Sequence, residues 1–382
     1  MSLGYGYGLW RGNFSSYYKY KWSLLGVAPG LVSTPNGITF SCASTRTAQT
    51  SPSALITGIS ANQAVICYNP FLGVYGLQHE PSATNTQYYS QAFASWTNVG
   101  ATVTTGQTDP SGATNAALIQ GSSTTFIVAS SRTLAATNGA VTTYWIAGFN
   151  GSPNQADWCS GAASVAQVMS YENTSPALAW QRTFRSTTSA VDIVGTTIAY
   201  SGPLNTGSNS AANKAYYFGG QIEAGLIPTS YIPTTTTAVT RSASIITANL
   251  ASWSKWAARL DAYPNAQAAY ATNFLIFEST NVNRYQAYVN LATSHFVLIV
   301  NNVGILTDSS YAYVFVAGDK WSWRATYDGT TYTVKAYKNN ILQCTHSVAG
   351  SAVTGGGVGI SFGSRADGTL HINAPIVFIG AT

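Results

Sequence analysis

The run Trp321–Gln343, WSWRATYDGTTYTVKAYKNNILQ, admits few folds. Trp321, Trp323, Ala325 and Tyr327 alternate with Ser322, Arg324 and Thr326, and Tyr332, Val334 and Ala336 resume the alternation after Asp328-Gly329. A period of two places every other side chain on one face of a strand, and Asp-Gly between two such runs is a strong hairpin signal. The segment therefore predicts antiparallel strands with one buried face, closed by a second tight turn at Asn339-Asn340. Strand-sized runs broken by turn residues recur along the chain, while the 3.6-residue period of a helix is missing apart from a short candidate around Ala54 to Ala64. Composition agrees, since charged residues make up only 8% and a usual soluble domain holds about 25%.

A second stretch sets the organisation. Residues 221–243, QIEAGLIPTSYIPTTTTAVTRSA, follow an apolar alternating run, and Pro228 and Pro233 then deny the ladder two donors. A strand should end near Ile227, and the threonines should continue as extended chain laid along a surface. This exit divides the 382 residues into two parts of ordinary domain size. On a strand Gln221 and Glu223 share a face. Glu223 is either a catalytic acid or a structural one that bonds backbone donors or Arg241 to fix the exit.

Charge is uneven. Residues 1–79 hold Arg11, Lys19, Lys21 and Arg46 and no carboxylate, so the net charge of +5 is mostly N-terminal. Four cations over that length are too sparse for a nucleic-acid stripe, and no nucleic-acid partner is expected. No apolar run reaches the roughly 18 residues of a membrane span, and no signal peptide is visible at the start. Cys42, Cys67, Cys159 and Cys344 form neither a CxxC pair nor a Cys/His cluster, so buried free thiols are expected and no metal site. Near the start, Tyr5 and Tyr7 lie among glycines ahead of Trp10 and Arg11. Such rings must dock somewhere, on this protein itself or as an anchoring arm on a larger assembly.

The succession ITFSCASTRT, AVICYNP, YGLQHEPSATN, FASWTNVGATVTTGQTDPSGATNAALI and FGGQIEAGLIPTSYIPTTTTAVTRSA, over about residues 36–245, resembles a group of tailed-bacteriophage virion proteins. In that group a segment like TRAST…PRFDYDP…GLLIE…RTN leads into a lectin-like sandwich that ends in AQLEAG and TSYIPT…TR. This chain departs from it at Gln78-His79, where apolar residues are usual, and at Pro81-Ser82-Ala83-Thr84, which replaces a basic residue before Asn85. The tryptophan strand, Asp-Gly hairpin and lysine strand near the C-terminus resemble laminin-G or concanavalin-like jelly rolls over about residues 265–382. These resemblances imply an all-β chain of two jelly-roll (concanavalin/lectin-like) β-sandwich domains in series with an extended N-terminal arm. The expected division is an anchoring arm over 1–35, a small β connector over 36–85, a first sandwich over 86–241 and an outer sandwich over 242–382. The expected location is the virion, as a fibre, spike or surface decoration; an architectural head, collar or tail subunit is the alternative.

Chemistry is sparse. With twelve carboxylates in all, no two acids stand on alternate residues of one strand as a retaining glycosidase needs, and Glu172 and Glu278 each stand alone. His79, His295, His346 and His371 fall in no local nucleophile signature, and GGGVG at 355–359 runs into strand residues where a phosphate loop would open a helix. No enzyme and no cofactor are expected, with a depolymerase whose acids converge from loops as the competing class. Binding suits the chain better, because its 10 Trp, 24 Tyr and 14 Phe can face sugars. Trp253, Trp256, Tyr263 and Tyr270 are candidates for a host-glycan platform, or else for packing between domains or subunits. Low charge and abundant aromatics predict a homo-oligomer, a trimer.

Overall fold

The computed structural model describes residues 18–70, 72–121, 126–133, 140–148, 155–161, 167–172, 179–187, 197–205, 214–225, 227–250, 252–264, 273–279, 283–316, 318–353, 359–365 and 374–382. Among them the chain is all β, with no α-helix and one short 3-10 turn at Phe93–Ser95. The alternation at the C-terminal hairpin becomes register: Trp321–Tyr327 pairs with Thr331–Lys338, and Trp321, Trp323, Ala325, Tyr327, Tyr332, Val334 and Ala336 all face the core. Asp328 makes the turn by accepting at 2.8 Å from the backbone N–H of both Thr330 and Thr331. Asn339 and Asn340 take φ of 50° and 69°, the left-handed pair that a tight primed hairpin turn requires and that asparagine tolerates.

Two large antiparallel sheets enclose this core. One runs Gly30–Val32, Ala64–Asn69, Val74–Leu77, Ile376–Ala381, Trp256–Ala262, Trp321–Tyr327, Thr331–Lys338, Ile341–Ala349, with Tyr20–Ser23 also paired to Ile376–Ala381 to make nine strands. The other has seven: Val303–Asp308, His295–Val300, Tyr285–Asn290, Asn273–Ser279, Ile360–Phe362, Ile245–Ala248 and Ile38–Ser41. Strands from residues 20–77 thus complete sheets whose remaining strands come from residues 245–381. Tyr20 to Ser23 pair with Ala381 to Phe378, and Trp22, Ile38, Phe40, Ile66 and Leu77 enter the common core. The sheets therefore cross the expected arm and connector boundaries, because these short strands bury Trp22, Ile38, Phe40, Ile66 and Leu77 against the C-terminal half.

The helix candidate around Ala54 to Ala64 is a strand instead. Ala54–Ile59 pairs with Arg46–Ser51 across two register shifts, and the next strand begins at Ala64. The buried pair Leu55 and Ile59 is four apart, a spacing shared by a helix face and a strand face.

Two five-stranded sheets lie between. One is ordered Ala101–Gln107, Ala116–Gly121, Lys214–Ala224, Ala140–Gly148, Gln181–Thr187, and the other Gln167–Glu172, Gln155–Gly161, Thr197–Asn205, Phe126–Thr133, Thr97–Val99. The strand Ala140–Gly148 is buried on both faces: Tyr144 and Ile146 join Phe93, Trp96 and Tyr217, while Trp145 and Ala147 join Leu55, Trp180, Phe218 and Tyr231. Gly219, at φ 67°, lets Trp145 and Tyr231 close in, since a Cβ there would lie 3.1 Å from the Trp145 ring. The 221–243 segment thereby lies against the sheet it has just left.

Candidate functional site

The exit segment is held by a buried polar junction. Gln221 and Glu223, both fully buried, reach from the end of Lys214–Ala224 to the chain that follows. Glu223 accepts from the Thr229 N–H at 2.6 Å, the Thr229 hydroxyl at 2.8 Å and the Gln221 amide at 2.9 Å. Gln221 Oε1 accepts from the Ile232 N–H at 2.7 Å. Glu223 thus has the structural role of fixing the exit through backbone donors. Burial pushes its carboxyl above the usual range, against the pull of the Thr229 bonds.

Arg241 goes to a different acid. Glu80 pairs with Arg241 and accepts from the Ser230 N–H at 2.7 Å, the Ser230 hydroxyl at 2.8 Å and Gln78 Nε2 at 2.8 Å. Burial pushes the Glu80 carboxyl up, but Arg241 and Ser230 outweigh it and the net shift is downward. Arg241 also donates to Pro81 O at 2.8 Å, and Arg46 extends the set through Gln78 at 3.4 Å. Asn85 is saturated: it donates to Gly220 O and Ile232 O at 3.2 and 2.7 Å and accepts from the Gln87 and Ile222 N–H groups. The unusual Gln78-His79 pair is buried here, and burial drops the His79 imidazole to about 3, so it stays neutral beside Ser244. A cavity of about 30 Å³ between Gln49, Cys67, Glu80, Arg182 and Ser230 has room for one or two waters and no larger ligand.

Of the four residues of the expected aromatic platform, Trp256 is turned into the core. Trp256 is 3% exposed and packs its ring 4.8 Å from Tyr285 and 6.3 Å from Tyr332, so it offers no face to a sugar. Its alternate-residue position on Trp256–Ala262 dictates this, since Ala258, Leu260 and Ala262 share the buried face. Trp253 packs partly buried against the same core, and Tyr263 is half-buried with its N–H on Pro375 O at 3.0 Å. Tyr270, like Tyr5, Tyr7, Trp10 and Arg11 of the arm, lies outside the described residues.

One constellation escaped the sequence because Asp308 and Tyr313 are far in the chain from Cys344 and His346. His346 Nδ1 meets Asp308 Oδ2 at 2.6 Å, and its Nε2 lies 3.0 Å from the Tyr313 hydroxyl and 3.3 Å from Cys344 Sγ. Acid, imidazole and thiol are in line as for nucleophilic catalysis, but the ring is stacked on Phe296 at 4.2 Å and is 2% exposed. Burial pushes the Cys344 thiol up and the imidazole down, which keeps both neutral. Asp308 ends the edge strand of one large sheet and His346 stands on the edge strand of the other, so the pair ties the open side of the two sheets.

Of the two acids that stand alone in the sequence, Glu278 is engaged, and the side chain of Glu172 lies outside the described residues. Glu278 accepts from Arg284 at 3.2 Å and Arg365 at 3.1 Å, and Asp261 takes Arg259 in a two-point pair at 2.8 and 2.6 Å. Among the described residues no group of three or more His, Cys, Asp or Glu is placed to hold a metal, and no helix is long and apolar enough to cross a membrane. No family model matches the chain, and no curated protein matches it. Among solved structures, domains LG4-5 of the mouse laminin alpha1 chain are similar over 66% of this chain and 84% of that one, at 12% identity and a TM-score of 0.20.

Proposed function

We propose that the chain is a structural subunit of a tailed-bacteriophage virion, built of two jelly-roll sandwiches and displayed on the particle surface, where it binds host-surface glycans without cleaving them. The observation that supports this most is the junction. Two of the stretches that carry the phage resemblance, YGLQHEPSATN and FGGQIEAGLIPTSYIPTTTTAVTRSA, meet although 150 residues separate Glu80 from Ser230. They pair as strands, Thr240 opposite Thr84 and Val239 opposite Asn85. Glu80, Asn85, Gln221, Glu223 and Arg241 spend their polar groups on one another and on the chain, which suits a conserving frame more than a reaction.

The chain is proposed to work as a homo-oligomer, a trimer, and its exposed strand edges support an oligomer. Leu31 at one end of the nine-stranded sheet and Ile341 and Leu342 at the other are 59%, 67% and 49% exposed. Apolar side chains on open strand edges are what a neighbouring subunit covers. Immunogold electron microscopy of intact particles with antibody to the full chain tests the location. Label at defined places on the particle is expected; label only on unassembled protein would sink the virion role. Release of reducing ends from host polysaccharide would replace the binding role by a depolymerase, and absence of both binding and turnover would leave an architectural head, collar or tail subunit.

A further inference from the structure

A cavity of about 310 Å³ opens beside the exit segment, walled by three stretches that are distant in the chain. Residues 89–92 form one wall, residues 105–106 and 114–116 at the turn side of a strand pair form another, and Thr234 with Thr235 close the third. Small-molecule sites span roughly 300 to 1,000 Å³, so this one takes a single ring and not a chain.

The backbone around it is held where local preference would not leave it. Tyr89 has φ of 52°, in the left-handed region that a bulky residue keeps only when its surroundings impose it. Its N–H donates to Thr235 O at 2.6 Å, and its own carbonyl accepts from the Ala92 N–H at 2.9 Å and the Trp96 indole N–H at 3.0 Å. The facing wall carries an irregularity: the pairing of Ala101–Gln107 with Ala116–Gly121 shifts between Thr104 and Gln107, and Gly106 within that shift has φ of 77°. A Cβ at Gly106 would meet nothing within 4 Å, so this wall bounds open space rather than a packed contact. Backbone strain and bulges both concentrate at binding sites.

The lining sets the chemistry. Among the described residues no charged side chain lines the cavity. Asp109 is buried next to it with its carboxylate engaged, accepting from the Ser111 N–H at 2.7 Å, the Ser111 hydroxyl at 2.6 Å and the Asn115 amide at 3.0 Å. Asn115 is thereby oriented, with its Oδ1 left to accept. Thr234 is engaged with Ser90 and the Gln87 carbonyl. The hydroxyls of Tyr89, Thr105, Thr114 and Thr235 make no hydrogen bond among the described residues, and the three threonines are exposed. Tyr89 is half-buried and packs against the Phe93 and Trp96 cluster, which fixes the ring. A carboxylate or phosphate would find no cation here, and a wholly apolar ligand would strip these hydroxyls of water without replacing the bonds. One fixed aromatic ring with hydroxyls and an amide oxygen, and no charge, matches a neutral sugar, which has an apolar ring face and hydroxyl edges.

We propose that this cavity holds one neutral sugar residue of a host glycan, with Tyr89 against the sugar ring and Thr105, Asn115 and Thr235 on its hydroxyls. The proposal rests on the glycan-binding reading and names the site and the class of sugar.

The test uses the full chain in saturation-transfer NMR and calorimetry with the methyl glycosides of glucose, galactose and N-acetylglucosamine, and with methyl glucuronide as the charged probe. At least one neutral glycoside should bind, and the glucuronide should bind at least tenfold more weakly. Thr235→Trp, at an exposed position, should fill the cavity and weaken the neutral glycoside at least tenfold at an unchanged thermal midpoint. Tyr89→Asn removes the ring while suiting the left-handed backbone, and should weaken it as much; Thr235→Trp decides alone if that variant fails to fold. No neutral glycoside bound, equal binding of the glucuronide, or binding indifferent to the substitutions would overturn the proposal. Binding of a bacterial surface polysaccharide that survives both substitutions would overturn it while leaving the glycan-binding role standing, whereas an unsubstituted chain that binds neither the glycosides nor any such polysaccharide would remove both.

Discussion

The junction around residues 221–241 and the core between the two large sheets are buried alike but held by opposite means. In the core Trp321 and Trp323 stack at 5.7 Å, Tyr285 lies 5.4 Å from Tyr332, and each ring contributes area. In the junction Arg46, Gln78, Glu80, Gln221, Glu223 and Arg241 are linked by hydrogen bonds and an ion pair. Apolar burial is non-directional and falls off gradually as atoms are removed. A buried ion pair adds little beyond its desolvation, yet losing one member leaves a charge with nowhere to go. The core should accordingly fail in proportion to the volume lost, and the junction in an all-or-none manner.

The largest effect is expected where both area and packing are lost. Trp323→Ala should cost about 4 kcal/mol of unfolding free energy by denaturant titration. A loss below about 1 kcal/mol would show that this ring is not central to the core. Arg241→Ala should cost about 3 kcal/mol by stranding Glu80, and the double change Arg241→Met, Glu80→Met should recover most of it. If the double variant is as unstable as the single one, the junction is held by packing like the core, and the contrast between the two regions disappears.

Acid should distinguish them next. His79 is buried neutral with its pKa lowered to about 3, so the unfolded chain takes up this proton at a higher pH than the folded chain. Its contribution is intact above pH about 6.5 and is lost progressively as pH falls towards 3, at up to about 1.4 kcal/mol per unit. Glu80, shifted downward, adds a loss of the same sign at lower pH, while Glu223, shifted upward, opposes it. Between pH 6.5 and 5 a loss of about 1 to 2 kcal/mol is expected, and His79→Phe should flatten this limb. An unchanged limb in that variant would exclude His79 as its origin. The smallest effect belongs to the turns: Asn340→Ala, at φ 69°, should cost about 1 kcal/mol with little change elsewhere.

Much of the local structure was legible. Alternation at Trp321–Tyr327 and the turns at Asp328-Gly329 and Asn339-Asn340 are statements about neighbouring residues, and the structure has them where the sequence places them. The prolines at 228 and 233 marked the strand exit for the same reason, and Glu223 had the short-range partners its position offered. The strands from residues 20–77 were not legible as parts of the C-terminal sheets, since Tyr20 finds Ala381 only through the whole fold. Trp256 stayed open between a glycan platform and packing because a tryptophan near a predicted boundary looks the same whether its strand turns that face inward or outward. Asp308 with His346, and the cavity between Tyr89, Asn115 and Thr235, left no signal at all in local spacing.

The sequence by itself determined that this chain builds strands, where several of them turn, and that its sparse charge would be placed with little redundancy. Those follow from torsional preference and side-chain alternation within a few residues. Only the tertiary structure decided which strands are neighbours, and with that which acid receives Arg241, which tryptophan is core and which distant stretches enclose a cavity. Register is set by burial of one face against distant partners, and no window of sequence contains both sides of that contact.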